Sequence, residues 1–455
     1  MDVCVYFQLH QPYRVRRYRV FDIGTSVSFF DDALNRETVR RVADRCYLPA
    51  TMLTRLVTDM GARFALSVSG VLLEQLESDA PAVLQNLQGL VATGGVELLS
   101  ETSHHSLASL EDIDEFMAQV TLHRTALKRM FGIVPRVFRN TELIVSDSLM
   151  PLIARMGFTS MLVEGADRVL GGRSPNHVYA SESAPTLRLV PRNYGLSDDV
   201  AFRFSDKNWD AWPLTADRYA DWIAGSAGDV VNIFMDYETF GEHHDATTGI
   251  FDFVAALPAA LERRGVRMVT PSELAARTPV GTLSFPSPTS WADTERDASA
   301  WLGNGLQRAA HSRLYQLRNA VLASGDKSLI GTWRRLSTSD HFYYMSTKWH
   351  ADGDVHTYFN PHATPYDAYI SYMNVMRSLE QRLADGRGRI APTRTKPRHG
   401  KLKPAKAAPA KATPAKAAAA KATSAKATPA KATPAKGTPK KPKPVKPGRA
   451  KRRKP

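Results

Sequence analysis

Three carboxylates and two histidines, Asp236, Glu238, Glu242, His243 and His244, fall within nine positions just after the apolar residues Val230, Val231, Ile233 and Phe234. An apolar, β-branched run of that length reads as a buried strand. Acid groups at its C-terminal end read as chemistry in an α/β protein, because ligands bind along that edge of such sheets. An acidic loop after a strand is also common as a merely solvated turn. A second segment of the same shape separates the two readings: Val134-Pro135-Arg136-Val137-Phe138-Arg139-Asn140-Thr141-Glu142-Leu143, another short strand ending on a single carboxylate. Two strand-end carboxylates from distant parts of one chain are what acid/base or nucleophilic sugar chemistry requires.

Two further strand ends carry polar residues, Gln8-Leu9-His10-Gln11-Pro12 and the stretch from Val96 to Leu107 with Glu97, Glu101, His104 and His105. His10 alone would read as a satisfied structural histidine. Polar residues placed repeatedly at strand C-termini point to a shared cleft. The elements that must position them alternate. Runs 3–9, 63–69, 95–100, 135–140, 159–164, 186–191 and 229–235 read as strands, with helical stretches such as Ile113–Phe131, Ser148–Met156 and Phe251–Arg264 between them. This alternation implies a parallel α/β sheet, either a barrel or a doubly wound fold. No GxGxxG or GxxxxGK[ST] phosphate loop occurs, and chemistry at the ends of several strands favours the barrel.

The alternation fades after Pro279. Pro286 and Pro288 mark a linker, Thr294–Ser324 reads as one long helix, and a last helix covers Ala368–Ala384. Residues 1–278 are therefore expected to form the barrel and 286–385 a helical domain packed on it. Aromatic stripes at helical spacing, as in the second region, are mostly core.

Composition divides the chain again. Of its 60 basic residues, 21 lie beyond Ile390, where no Asp or Glu occurs; the preceding part has 39 basic and 45 acidic residues, a net charge of −6. The tail 391–455 repeats Ala-Lys-Ala-Thr-Pro in near-copies between Lys411 and Lys436, and no Phe, Tyr or Trp follows Tyr372. With nothing apolar to bury it should be disordered. Its spaced lysines, like those of linker-histone tails, would bind nucleic acid or another polyanion weakly by counterion release. Two cysteines, Cys4 and Cys46, argue against a disulfide scaffold or thiolate metal site and suit a reducing compartment. With no apolar leader and no run near the roughly 18 residues of a membrane span, the expected location is the cytoplasm. No cofactor or metal is expected.

The motifs HQPYR, GGVELLSETSHHSLA, FRNTELIVSD, FMDYETFGEHH and TPSE resemble, in order, the five sequence regions of glycoside hydrolase family 57, with the α-amylase-type members most similar. The segments WLGNGLQ and SDHFYYMSTKWHADGDVHTYFNP resemble that group too, so the likeness spans roughly 1–382. It implies a (β/α)7 barrel followed by a helical domain, and retaining hydrolysis or transfer of α-1,4-glucans such as glycogen, starch or maltooligosaccharides. Glu142 matches the nucleophile and Asp236 the general acid/base. His10 and His105 match positions beside the sugar next to the cleaved bond. Glu238 is expected near the substrate, and Trp301, Asp340 and Trp349 fall where the helical domain closes over the cleft.

A proton donor near neutrality needs a raised pKa, which the neighbouring Glu238 and Glu242 would supply by repulsion, as would burial. Arg139 is a candidate partner for Glu142, although strand alternation would send it to the opposite face if the strand ran on. A 4-α-glucanotransferase would use the same site. Two other classes compete: a metal-dependent, deacetylase-like hydrolase using His10, His104, His105, His243 and His244, and a non-catalytic glucan- or polyanion-binding protein.

Overall fold

The computed structural model describes residues 1–348 and 358–389, the last four of them as backbone only. Ten strands form in chain order: β1 (Asp2–Leu9), β2 (Phe64–Val68), β3 (Val96–Leu98), β4 (Val137–Arg139), β5 (Ser160–Glu164), β6 (Tyr179–Ser181), β7 (Arg188–Arg192), β8 (Val230–Asp236), β9 (Arg267–Met268) and β10 (Thr282–Leu283). All seven strands read from the sequence are present. The three short additions, β6, β9 and β10, have two or three residues each, too few for a periodic signal.

Strands β3, β2, β1 and β8 pair in parallel, as do β4, β5 and β7. A parallel bridge between Ser100 and Phe138 joins β3 to β4, and Asn193 N–H and Asn232 Nδ2 join β7 to β8 at 2.8 Å each. The result is a (β/α)7 barrel whose strands follow chain order. Strand alternation decides which side chains enter it. Cys4 and Tyr6 of β1 and Val230 and Phe234 of β8 fill the interior. Val3, Val5, Phe7 and Leu9, with Val231, Ile233 and Met235, pack outward on helices. The same period of two turns Gln8 and Asp236 inward, and the register pairs them directly at the C-terminal edge.

The second region shares its core with the barrel. One continuous apolar cluster holds Phe138, Met161 and Leu189 from strands together with Leu314, Trp333, Phe342 and Tyr372. The stretch expected as one long helix is three, Ser299–Leu302, Gly305–Gln316 and Arg318–Ser324. Asn304 starts the second as an N-cap, its side chain accepting from Gln307 N–H while Gln307 reaches back to Asn304 N–H. That reciprocal box outcompetes continuation of the helix. The last helix is longer than expected, Pro365–Arg389. Residues Met1–Pro392 form one compact unit; the expected disordered tail lies outside the described residues. Among the described residues no helix is long and apolar enough to cross a membrane.

Candidate active site

The barrel's C-terminal mouth opens into a cleft whose lining includes His10, His105, Glu142, Asp236, Glu238 and Asp340. Six of the eight residues singled out from the sequence thus meet in one place, from three strand ends, two strand–helix loops and the helical region.

Glu142 follows β4 on a turn closed by Leu143 N–H to Asn140 C=O and Ile144 N–H to Thr141 C=O, at 2.9 Å each. It lies in the left-handed region, φ 56°, as do Leu143 at 52° and His105 at 48°. Each such non-glycine residue costs roughly 1–3 kcal/mol, a cost characteristic of functional sites. The turn aims a carboxylate that is only 2% exposed at three donors. His105 Nε2 lies 3.2 Å from Oε1, Ser339 Oγ donates to Oε1 at 3.2 Å, and the Trp291 indole N–H donates to Oε2 at 2.7 Å. Donors on both oxygens bind the ionised carboxylate best.

His105 bridges two acids, its Nδ1 lying 2.7 Å from Glu101 Oε2. Burial alone would lower the imidazole's pKa, but Glu101, then Glu142, outweigh it and lift it to about 9. Burial likewise opposes ionisation of Glu101, yet the charge and hydrogen bond of His105, then the charges of Arg139 and His123, bring it down to about 2. The two shifts agree on one state, an imidazolium held between two carboxylates. Glu101 is further fixed by Gln8 Nε2 at 2.9 Å.

His10 stacks on His105 with ring centroids 4.0 Å apart. Burial, then the neighbouring His105 charge, lowers its pKa, so the ring is neutral near pH 7. Its Nε2 lies 3.0 Å from Asp340 Oδ2 and its Nδ1 2.7 Å from Ser69 Oγ. The carboxylate accepts a hydrogen bond from Nε2–H, leaving Nδ1 to accept one from the serine hydroxyl. Ser69 also N-caps the helix Gly70–Asp79 through Leu72 N–H, so a helix start orients a site histidine. Asp340 and Ser339 are brought over by Ser339 N–H to His105 C=O at 2.9 Å and Thr338 Oγ1 to His104 C=O at 2.9 Å.

Asp236 ends β8, and the short 3-10 turn Tyr237–Thr239 carries Glu238 back to the same cavity. Glu238 accepts hydrogen bonds from the Tyr47 hydroxyl and from His10 N–H. Burial, then the charge of Asp236, raises its pKa well above the carboxylate range, so Glu238 keeps its proton near neutrality. Glu242 is not part of this pair, contrary to the sequence reading. Its buried carboxylate is drawn away by Arg41 at 3.0 Å and Arg45 at 3.9 Å and accepts from Tyr358 at 3.1 Å. Gly241 makes that path possible: at φ 109° its Cα lies so close to the Arg45 carbonyl that a side chain would collide with it.

Trp301 lies away from the cavity. It is fully buried in the apolar core, edge-on to Tyr343 at 6.4 Å. Trp301→Ala should cost about 3–5 kcal/mol of stability and leave KM for substrate unchanged, as chemical denaturation and steady-state kinetics would show. Trp349 lies outside the described residues. Trp291 was missed, because it sits 149 positions from Glu142 in a Pro-flanked stretch that reads as linker. That stretch is pinned to the barrel by paired hydrogen bonds between Val145 and Thr289. Arg139 does point inward, but it stacks on the Trp291 ring, 4.7 Å from its centroid, and its charge lowers the pKa of Glu101.

Of the histidines expected for a metal reading, His10, His105 and His243 line the cavity, whereas His104 and His244 do not. His244 is tied to Ser205 Oγ at 2.8 Å and Val200 C=O at 2.9 Å, and His104 is buried beside Arg334 and Arg335, whose charges add to burial in pushing its pKa down to about 3. Among the described residues no three His, Cys, Asp or Glu side chains are grouped to hold a metal ion.

A seven-stranded parallel barrel with its polar, carboxylate-rich side chains gathered at the C-terminal mouth defines a barrel enzyme that handles a polar substrate. The profile of Glycosyl hydrolase family 57 matches residues 4–284. A candidate alpha-amylase of Methanocaldococcus jannaschii is 40% identical over 390 residues, covering 82% of this chain and 83% of the relative. Among solved structures, the 4-alpha-glucanotransferase of Thermococcus litoralis superposes with a TM-score of 0.59 at 15% identity over 75% of this chain, which spans 56% of that protein. A GH57-type branching enzyme of Pyrococcus horikoshii gives a TM-score of 0.59 at 16% identity, covering 84% of this chain and 90% of the other. These two likenesses speak to the fold. The chain belongs to glycosyl hydrolase family 57.

Proposed function

We propose that this enzyme cleaves α-1,4-glucans with retention of configuration, through a covalent glycosyl-enzyme on Glu142, with Asp236 as general acid/base. The observation that carries this reading is the meeting at one mouth of two strand-end carboxylates, Glu142, held by donors on both oxygens, and Asp236, which lies beside the buried Glu238. Retaining cleavage needs one carboxyl group ionised and one protonated, about 5–5.5 Å apart. Glu142 attacks the anomeric carbon as the glycosidic C–O bond breaks, and Asp236 gives its proton to the departing 4-oxygen. The Asp236 carboxylate then takes a proton from water, whose oxygen attacks the same carbon and frees Glu142. The His10–Asp340 pair and Glu238 offer hydrogen bonds to the hydroxyls of the sugar.

Transfer differs only in the second step, where the 4-hydroxyl of another glucan replaces water. The 40%-identical relative's name, alpha-amylase, favours hydrolysis. Products from maltoheptaose decide: reducing ends should rise in proportion to bonds broken, whereas chain-length redistribution without new reducing ends would make the enzyme a transferase. Glycogen, starch or their oligosaccharides are the substrates this reading names, and the cysteine content suits the cytoplasm.

The basic tail supports a second, separable property, weak binding to nucleic acids or other polyanions. Deleting 391–455 should abolish retention on a polyanion column at low salt and leave turnover of maltoheptaose unchanged. Retention that persists in the deletion would sink the tail assignment.

A further inference from the structure

Trp291 is held by an arrangement that its burial alone does not require. Its backbone N–H donates to Glu142 C=O at 3.3 Å, and its own carbonyl accepts from Arg296 Nη1 at 3.3 Å. Arg296 in turn reaches Glu164 Oε1 at 3.4 Å and Asp198 Oδ2 at 3.7 Å. Arg192 closes the ring from the other side, with Nη1 3.5 Å from Glu164 Oε2 and Nη2 2.5 Å from Asp198 Oδ1. Each carboxylate thus meets both guanidiniums. Glu164 ends β5, Arg192 ends β7, Asp198 lies on the helix Tyr194–Ala201, and Arg296 comes from the same loop as Trp291. The Arg192 guanidinium also lies 5.7 Å from the Trp291 ring centroid, with Arg139 at 4.7 Å.

Glu164 is fully buried, Arg192 is 3% and Asp198 8% exposed. Buried charge quartets are poor sources of stability, since the cost of desolvation cancels most of the attraction. They do fix geometry. The loop that carries the tryptophan also contains Asp293 at φ 54° and Arg296 at φ 49°, conformations that persist only where the surroundings over-determine them.

We propose that Glu164, Arg192, Asp198 and Arg296 are positioning residues for the reaction: together they set the Trp291 loop so that its indole N–H meets Glu142. This rests on the reading of Glu142 as nucleophile. None of the four is among the residues lining the cavity, and their path to Glu142 runs through the tryptophan. A hydrogen bond to a charged acceptor is worth enough that its loss lowers kcat on the order of 10- to 100-fold.

The test is a double-mutant cycle on maltoheptaose with Trp291→Phe and Arg296→Met, alone and together, with Tm measured for each. Trp291→Phe and Arg296→Met should each lower kcat on the order of 10- to 100-fold with KM nearly unchanged. Arg296→Met made in the Trp291→Phe background should add almost nothing. Losses that multiply in the double variant would overturn the proposal, as would an Arg296→Met protein that loses only Tm. Should Arg296→Met melt too low to assay, Glu164→Gln, which keeps shape and loses charge, takes its place in the same cycle with the same two outcomes. Glu142→Ala is run beside them. If it remains active the nucleophile reading falls, whereas an inactive Glu142→Ala with a multiplicative cycle removes only the role of the quartet.

Discussion

Glu142→Ala should lower kcat on maltoheptaose by on the order of ten-thousand-fold, about 5 kcal/mol of transition-state stabilisation, with the protein still folded. The carboxylate is held by His105, Ser339 and Trp291 for attack, and alanine offers no nucleophile in its place. The Glu142 carboxylate is also a partner of the buried His105, so some stability is lost with it, and Tm measured beside kcat separates the two effects. Asp236→Asn should cost less, about 10²- to 10⁴-fold, because proton transfer is one contribution among several. Sodium azide separates the two roles. In Glu142→Ala an azide ion occupies the missing carboxylate's place, attacks the anomeric carbon opposite the leaving oxygen and gives the β-glycosyl azide. In an Asp236 variant it intercepts the glycosyl-enzyme instead and gives the α-azide. Azides of the reverse configurations would exchange the two assignments.

Glu101→Gln should have a large effect that depends on pH. Burial works against charge on His105, and Glu101 is the main partner that overcomes it, holding the imidazolium up to about 9. With glutamine in that place the ring loses its proton near or below the ordinary value of about 6.5. The alkaline limb of kcat/KM, expected near 9 in the parent enzyme, should therefore move down by two or more pH units. Stability follows the same groups. The raised His105 pKa contributes stability fully below about 6.5, lost as pH rises through about 9. The depressed Glu101 contributes stability above its ordinary value of about 4.3, lost as pH falls through about 2. The pair thus stabilises most between the two ordinary values. Breaking it should cost about 3–5 kcal/mol there, and the deficit should shrink above pH 9. Urea unfolding at pH 5.5 and 9.5, with kcat/KM across the range, measures both. An unchanged alkaline limb in Glu101→Gln would mean that His105 does not need its charge.

The sequence carries the site unevenly, for physical reasons. Asp236 was legible as one of three acids closing an apolar run long enough to read as a strand, and the motif likeness singled it out. Glu142 was legible as a strand end, and the likeness of five ordered motifs assigned its role. The Glu101–His105 pair leaves a trace, an acid and a histidine four positions apart, but that spacing is also common on helices and says nothing by itself. Trp291 and its quartet leave none. Glu164, Arg192, Asp198 and Arg296 come from four places in the chain, and only the closed barrel brings them together. Trp301 shows the opposite error, where motif position suggested the cleft and apolar packing placed the ring in the core. Glu242 shares the acidic cluster of Asp236, yet two arginines from residues 41–45 decide where it points, and neither is near it in sequence.

The most direct test of the two-carboxylate account is to trap the intermediate. A slowly turned-over maltosyl fluoride, fluorinated at C5 of the reacting sugar, should inactivate the enzyme, and peptide mass spectrometry should place the glycosyl adduct on Glu142. An adduct on Asp236 or elsewhere, or inverted product with no adduct at all, would contradict it.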